Sequence, residues 1–226
     1  MKTVKRPGIF SYGNSMKRRQ FLTFLTATAS IPTIISACNK NDNNESGAID
    51  LGSGDTGILN YFYALEQFQA AFYAQVVTTP YGDMTDDERS LITDIRNHEI
   101  AHKQFLKAAL GLIAIPELQL DLSTINFLNR DTVLSTARTF KDLSVSAYNG
   151  AAQLLTSTDY LLISAKLVSV EARHAGYIRD LLSYGSFADD TIVAGGLDVV
   201  QTPDAVLAAF SPFFISKLDA SHLPTN

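Results

Sequence analysis

The chain is short of several residue types that carry chemistry elsewhere. Of its 226 residues one is cysteine, Cys38, and none is tryptophan. A single cysteine excludes an intramolecular disulfide, and its position ahead of the folding part excludes a thiol nucleophile there. No Gly-x-Ser-x-Gly elbow and no phosphate-binding loop occurs, since Gly52-Ser53-Gly54-Asp55 lies in a polar stretch without the flanking pattern. Charged residues are only 18% of the chain while apolar ones reach 46%, a balance that folds rather than one that stays disordered. Acidic residues are absent from the first 37 positions, which hold six of the 18 Lys and Arg; beyond them 12 basic residues face 23 acidic ones. That surplus argues against nucleic acid as the main partner. The length suits one domain and a targeting segment.

Residues 1–37 read as that segment. Met16-Lys17-Arg18-Arg19-Gln20-Phe21-Leu22 opens a basic, then mildly apolar, then small-residue order that ends at Ile35-Ser36-Ala37-Cys38. The Arg18-Arg19 pair resembles a twin-arginine export signal, and the last four residues resemble a lipobox with Cys38 as the lipidated residue. The alternative for Cys38 is a small apolar residue within an uncleaved anchor. Both place the protein on a membrane, at the periplasmic or cell-surface side, and Met16 competes with Met1 as initiator. Residues 38–56, rich in Asn, Asp and Gly, are expected to form a flexible tether.

From Gly57 the period is helical. Leu59, Phe62, Glu66, Gln69, Tyr73 and Val76 make one stripe, broken at Thr78-Thr79-Pro80-Tyr81-Gly82. Thr85 and Glu88 form a capping box for a second helix to about Leu110, striped by Leu91, Ile95, His98 or Glu99, His102, Phe105 or Leu106, and Ala109. Residues 111–130 have no sustained period and are long for a connection. Such a length fits a crossover along a bundle: about 20 residues reach roughly 65 Å extended, more than the roughly 38 Å of a 25-residue helix. A third helix is expected over Thr132–Leu155 and a fourth after Thr156-Ser157-Thr158-Asp159, the short turn making them antiparallel neighbours. Residues 185–226 form a tail, in which Thr202-Pro203-Asp204 starts a short apolar helix through Phe210 that caps the bundle. The fold class is all-α, a four-helix bundle over residues 57–184.

Two Glu-x-x-His units, Glu99 with His102 and Glu171 with His174, each set a carboxylate and an imidazole on one helical face within an apolar stripe. With six Glu in the chain, a given His has roughly a 3% chance of a Glu three residues before it. Two of four His meet that condition, so a buried polar site explains the pair better than solvated surface residues do. If the first two helices form a hairpin, Glu66 and Glu99 are level when the loop centres between Gly82 and Asp83, inside the predicted break. A turn centred on Ser157 sets Glu171 and His174 level with residues 140–143 of the third helix. Its stripe, Leu134, Ala137, Lys141, Ser144, Tyr148, Ala151 and Leu155, points Lys141 at the core and turns Asp142 about 100° away.

The segments Leu59-Asn60-Tyr61 through Phe72-Tyr73, Arg96-Asn97-His98-Glu99-Ile100-Ala101-His102, Ala147-Tyr148-Asn149-Gly150-Ala151 and Val170-Glu171-Ala172-Arg173-His174 together resemble the bacterial ferritin-like family that includes desiccation-related proteins. The resemblance covers about residues 55–183. It implies a ferritin-like four-helix bundle with metal ligands Glu66, Glu99, His102, Glu171 and His174. It also implies a Glu seven residues before the Tyr of Ala-Tyr-x-Gly, where this chain has Lys141, and a frequent second Glu on the first helix, where it has Gln69.

The expected function is metal binding, with mixed Glu and His donors suited to iron or manganese. The alternative is a metal-free structural or stress-protective bundle. Lys141 at ligand height, its ammonium among Glu66, Glu99 and Glu171, leaves room for one ion and argues against two-metal oxygen chemistry and hence against an enzyme. The competing outcomes are that Asp142 rotates in or that Lys141 reaches the surface. His98 is a candidate ligand but reads better as a packing neighbour, and His222 as solvent-exposed. Tyr61, Tyr63, Tyr73, Tyr148 and Tyr177 are candidates to adjoin a metal, although aromatic core packing explains most of them.

Overall fold

The computed structural model describes residues 47–225. Arg18, Arg19, Cys38 and the targeting segment lie outside the described residues, as do residues 38–46 of the expected tether. Four long helices form the bundle: α1 Gly54–Thr78, α2 Asp86–Leu110, α3 Arg130–Ala152 and α4 Thr158–Leu182, followed by the short α5 Pro203–Phe210. α1 packs along α2 and α3 along α4, each pair joined by a short connection. Among the described residues no helix is long and apolar enough to cross a membrane.

The helix ends follow the local chemistry. Thr85 and Glu88 form a reciprocal capping box at the start of α2, while Asn129, Ser157 and Thr202 accept from backbone N–H groups of α3, α4 and α5. Asn129 starts α3 two residues earlier than Thr132, and the helix stops at Ala152 rather than Leu155.

The connection from α2 to α3 runs the length of the bundle. After a single 3-10 turn at Gly111–Ile113 it is held to α1 by the Gln67 amide, which donates to the Pro116 carbonyl and accepts from Leu118 N–H. At the far end Arg130 meets Glu88 at the start of α2 and the Leu181 carbonyl at the end of α4. The crossover therefore starts α3 at the same end of the bundle as α2, so that these two helices run parallel, as the length of residues 111–130 anticipated.

The flexible tether expected over residues 38–56 does not extend to its predicted end. Ile49–Asp50, strand β1, pairs in parallel with the last strand, β4 at Leu218–Asp219, and Leu51 is fully buried. The apolar Ile49 and Leu51, isolated in a polar stretch, gain burial only because the tail folds back beside them. The tail also contains a small hairpin, β2 Val193–Ala194 with β3 Leu197–Asp198. Gly150 admits this tail closely against α3: a Cβ there would lie 2.0 Å from the Gln201 carbonyl oxygen, while Gln201 N–H bonds to the Ser146 carbonyl. α5 places Phe210 against Phe68 and Phe140, closing the core over α1 and α3.

α1 is covered almost all round, with Ile58 through Ala70 buried as an unbroken run. The sequence stripe captured only one side of it. A helix apolar on all faces belongs in the middle of a protein, and here α2, α3, the crossover and the tail surround it.

Candidate metal centre

Each of the four long helices sends one or two ionisable side chains to the same level. α1 supplies Glu66, α2 supplies Glu99 and His102, α3 supplies Lys141, and α4 supplies Glu171 and His174; the three carboxylates and Lys141 are at most 1% exposed and the imidazoles 7–8%. The periodicity explains the convergence. On α4 the buried residues Ser164, Leu167, Glu171, His174 and Ile178 recur at three and four, so the polar pair sits inside a stripe that packing fixes inward. On α2 the inward face is Ile92, Ile95, Glu99, His102 and Leu106, which selects Glu99 and leaves His98 exposed.

The donor atoms crowd one small volume. A ligand atom from each of Glu66, Glu99, His102 and Glu171 lies within 4.8 Å of all the others. His102 Nδ1 is 3.0 Å from Glu171 Oε1 and 3.7 Å from Glu66 Oε2, and His174 Nδ1 is 3.1 Å from Glu99 Oε1. None of these approaches is aligned as a hydrogen bond. Glu66 Oε2, both Glu99 oxygens, His102 Nδ1, Glu171 Oε1 and His174 Nδ1 are buried with no hydrogen-bond partner. Buried polar atoms are rarely left so. Donors bound to one ion at about 2.1 Å, roughly 90° apart, stand about 3 Å from each other without bonding mutually, and the His102–Glu171 and His174–Glu99 approaches, at 3.0 and 3.1 Å, have that spacing. The residues present therefore fit a metal ion.

Lys141 occupies the other side of the cluster. Its Nζ donates to Glu171 Oε2 at 2.7 Å, lies 2.8 Å from Glu99 Oε1, and stands over the Tyr73 ring at 5.3 Å. Burial disfavours the ammonium, but Glu171 and Glu99 outweigh it and raise the Lys141 pKa, so the charge stays. Glu66 does not touch it. Glu66 instead accepts from the Tyr148 hydroxyl at 2.6 Å, with Tyr148 stacked on Phe62. Gln69 donates to the Phe140 carbonyl and Ser144 Oγ, tying α1 to α3 with a neutral amide.

Electrostatics separate the groups. Burial, then Glu171, raises the pKa of Glu66 and of Glu99 above the ordinary carboxylate range. Burial acts the same way on Glu171, but Lys141 and His102 outweigh it and hold that carboxyl well below the range. Burial lowers His102, yet the close approach of the Glu171 and Glu66 carboxylates prevails and pushes it up to about 10. Burial and Lys141 push His174 down to about 3, and burial with His174 lowers His98.

Asp142 is not part of this cluster. It points away and pairs with Arg179, Oδ1 to Nε at 3.0 Å, as the 100° between successive helical residues requires. The reading that Asp142 rotates in is corrected, and so is the placing of Lys141 at the surface. Of the five tyrosines only Tyr73 and Tyr148 adjoin the cluster; Tyr63 donates to Glu117, and Tyr177 is partly exposed. His222 is exposed, although it pairs with Asp50. Sequence reasoning missed a contact: His98 Nδ1 lies 3.0 Å from His174 Nε2, a pairing set by the register of α2 against α4, which no loop length reports.

A family model, that of the ferritin-like domain, matches residues 54–184, more than half of the chain. The chain belongs to the ferritin-like domain family. A search of curated proteins found no match. The matched span begins where α1 begins and ends just past α4, so it covers the whole bundle and all the residues of the cluster.

Proposed function

We propose that this ferritin-like protein is exported, anchored to a membrane through a lipid on Cys38, and holds one divalent ion of iron or manganese in its bundle core. Glu66, Glu99, His102, Glu171 and His174 would hold the ion. The observation that carries the reading is the set of six buried carboxylate oxygens and imidazole nitrogens without hydrogen-bond partners, with Glu66, Glu99, His102 and Glu171 each bringing a ligand atom within 4.8 Å of the others and His174 Nδ1 3.1 Å from Glu99. Charge sets the number of ions. Three carboxylates and one ammonium leave two negative charges, matched by one divalent cation, and Lys141 already bridges Glu99 and Glu171 where a second cation would stand.

A bound iron or manganese ion would supply one-electron redox chemistry. The protein's own residues fix its surroundings: Tyr148 orients Glu66 through a hydrogen bond, Gln69 and Ser144 seal the neighbouring polar groups, and aromatic side chains exclude bulk water. Export rests on Arg18, Arg19 and Ile35-Ser36-Ala37-Cys38. The second reading, a metal-free stress-protective bundle of the desiccation-related kind, is favoured by the Lys141 ion pairs, which partly neutralise the carboxylates without metal.

Anaerobic titration of the full chain with ferrous ion decides between them. One ion per chain is expected, and Lys141→Glu should raise this to two. No uptake would leave the structural reading, and two ions in the unsubstituted protein would overturn the role given to Lys141. Cys38→Ala should abolish labelling by a fatty-acid probe, and retained labelling would refute the anchor.

A further inference from the structure

We propose that His98 is a positioning residue that holds His174 in the tautomer whose Nδ1 is free to take a metal ion, an inference that rests on the metal-binding reading above. His174 has two distinct sides. Its Nδ1 faces the cluster, 3.1 Å from Glu99 Oε1 and 3.8 Å from Glu171 Oε1, and its Nε2 faces away, 3.0 Å from His98 Nδ1. A neutral imidazole carries one N–H and one lone pair, and the partner of one nitrogen decides the state of the other.

The geometry selects between the two tautomers. Were the proton on Nδ1, it would point at Glu99, yet that approach is not aligned as a hydrogen bond and leaves His174 Nδ1 without a partner. Were it on Nε2, it would meet His98 Nδ1 at ordinary hydrogen-bond distance. The two rings are 13° from parallel with centroids 5.2 Å apart, so an in-plane N–H can meet an in-plane lone pair. His98 therefore accepts from His174 Nε2–H. That leaves the His174 Nδ1 lone pair directed among carboxylate oxygens, an arrangement that is repulsive until a cation separates them.

Position supports the assignment. His98 precedes the ligand Glu99 on α2 and is itself exposed, so it adds no donor to the buried cluster. Its contribution is made across the α2–α4 interface, onto the one imidazole supplied by α4. Hydrogen bonds of this kind to metal-bound imidazoles alter metal affinity by about 10- to 100-fold when removed.

The test compares His98→Phe, which keeps a flat ring and removes the acceptor, with His98→Asn, whose side-chain oxygen can replace Nδ1. In the full chain, stripped of metal and titrated with manganous ion against a chromophoric chelator, His98→Phe should weaken binding about 10- to 100-fold while His98→Asn stays near the parent. Imidazole nitrogen chemical shifts of the metal-free proteins should show His174 protonated on Nε2 in the parent and in His98→Asn, and a mixture of tautomers in His98→Phe. Equal affinity in all three proteins, or equal losses in both variants, would overturn the proposal. If the parent takes up no ion, the metal-binding reading fails, and the nitrogen shifts still judge the tautomer.

Discussion

Two buried cations tie α3 to α4, and their surroundings differ. Arg179 on α4 is 4% exposed and every nitrogen of its guanidinium has an acceptor: Nε meets Asp142, Nη1 meets Asp189 and the Ser186 carbonyl, and Nη2 meets Thr191. Lys141 on α3 is fully buried and pairs with Glu171 Oε2 and Glu99 Oε1, while Glu66 Oε2, Glu99 Oε2 and Glu171 Oε1 have no hydrogen-bond partner. Burying charge is tolerated when each charge is paired and each polar atom bonded, and is costly otherwise. The Arg179 cluster is closed and accounts for itself by anchoring residues 186–191 to the bundle. The Lys141 cluster is open, with buried acceptors that a further cation would complete.

The largest expected effect tests the closed cluster. Arg179→Met leaves Asp142 and Asp189 without their partner and should cost about 3–5 kcal/mol in chemical denaturation, with the number of ions bound per chain unchanged. Next comes the open cluster. Glu171→Gln keeps shape but removes the carboxylate nearest both Lys141 and His102, and should weaken manganous ion at least about 10-fold, roughly 1.4 kcal/mol or more. Metal affinity that survives Glu171→Gln would show that the open cluster is not the site.

These contrasts were unequally legible beforehand. The level of Glu66 with Glu99, and of Glu171 and His174 with residues 140–143, followed from loop centres alone, because antiparallel neighbours joined by short turns have little freedom in register. Rotation about the helix axis then separated Lys141 from Asp142. Loop arithmetic could not reach contacts between elements joined by no short loop: His98 with His174, or Ile49 with Leu218. Nor could one stripe report that α1 is buried on all sides, since that depends on the crossover and tail lying against Tyr63 and Phe68. Arg179 was missed because its partners Asp189 and Thr191 lie in a tail without periodicity.

Acidity sharpens the comparison further. In the metal-free protein His102 is pushed up to about 10 from an ordinary 6.5. A base whose folded pKa is raised contributes stability that is complete below 6.5 and is lost as pH rises through about 10, because the folded state binds the proton more tightly than the unfolded chain does. With chelator present, the melting temperature should fall between these values. On the proposed metal binding, an ion would take the place of the proton on His102, so the stabilisation by manganous ion should grow over the same interval. A melting temperature that rises with pH under chelator would contradict the carboxylate contacts assigned to His102.

The smallest effect concerns Asp142, the residue that sequence position made a rival to Lys141. Its carboxylate is paired with Arg179, but burial raises its pKa and the pairing does not bring it back to the ordinary value. A raised carboxylate pKa means that the fold disfavours the charged form relative to water, so the charge of Asp142 adds nothing net to stability near neutrality. Asn keeps the shape and an oxygen to accept from Arg179 Nε, while Asp189, Thr191 and the Ser186 carbonyl still bind the guanidinium. Asp142→Asn should therefore change stability by less than about 1 kcal/mol, far less than Arg179→Met, and should leave manganous affinity as it was. A loss of affinity on the scale of Glu171→Gln would mean that Asp142 does reach the ion, and the division between a closed and an open cluster would not hold.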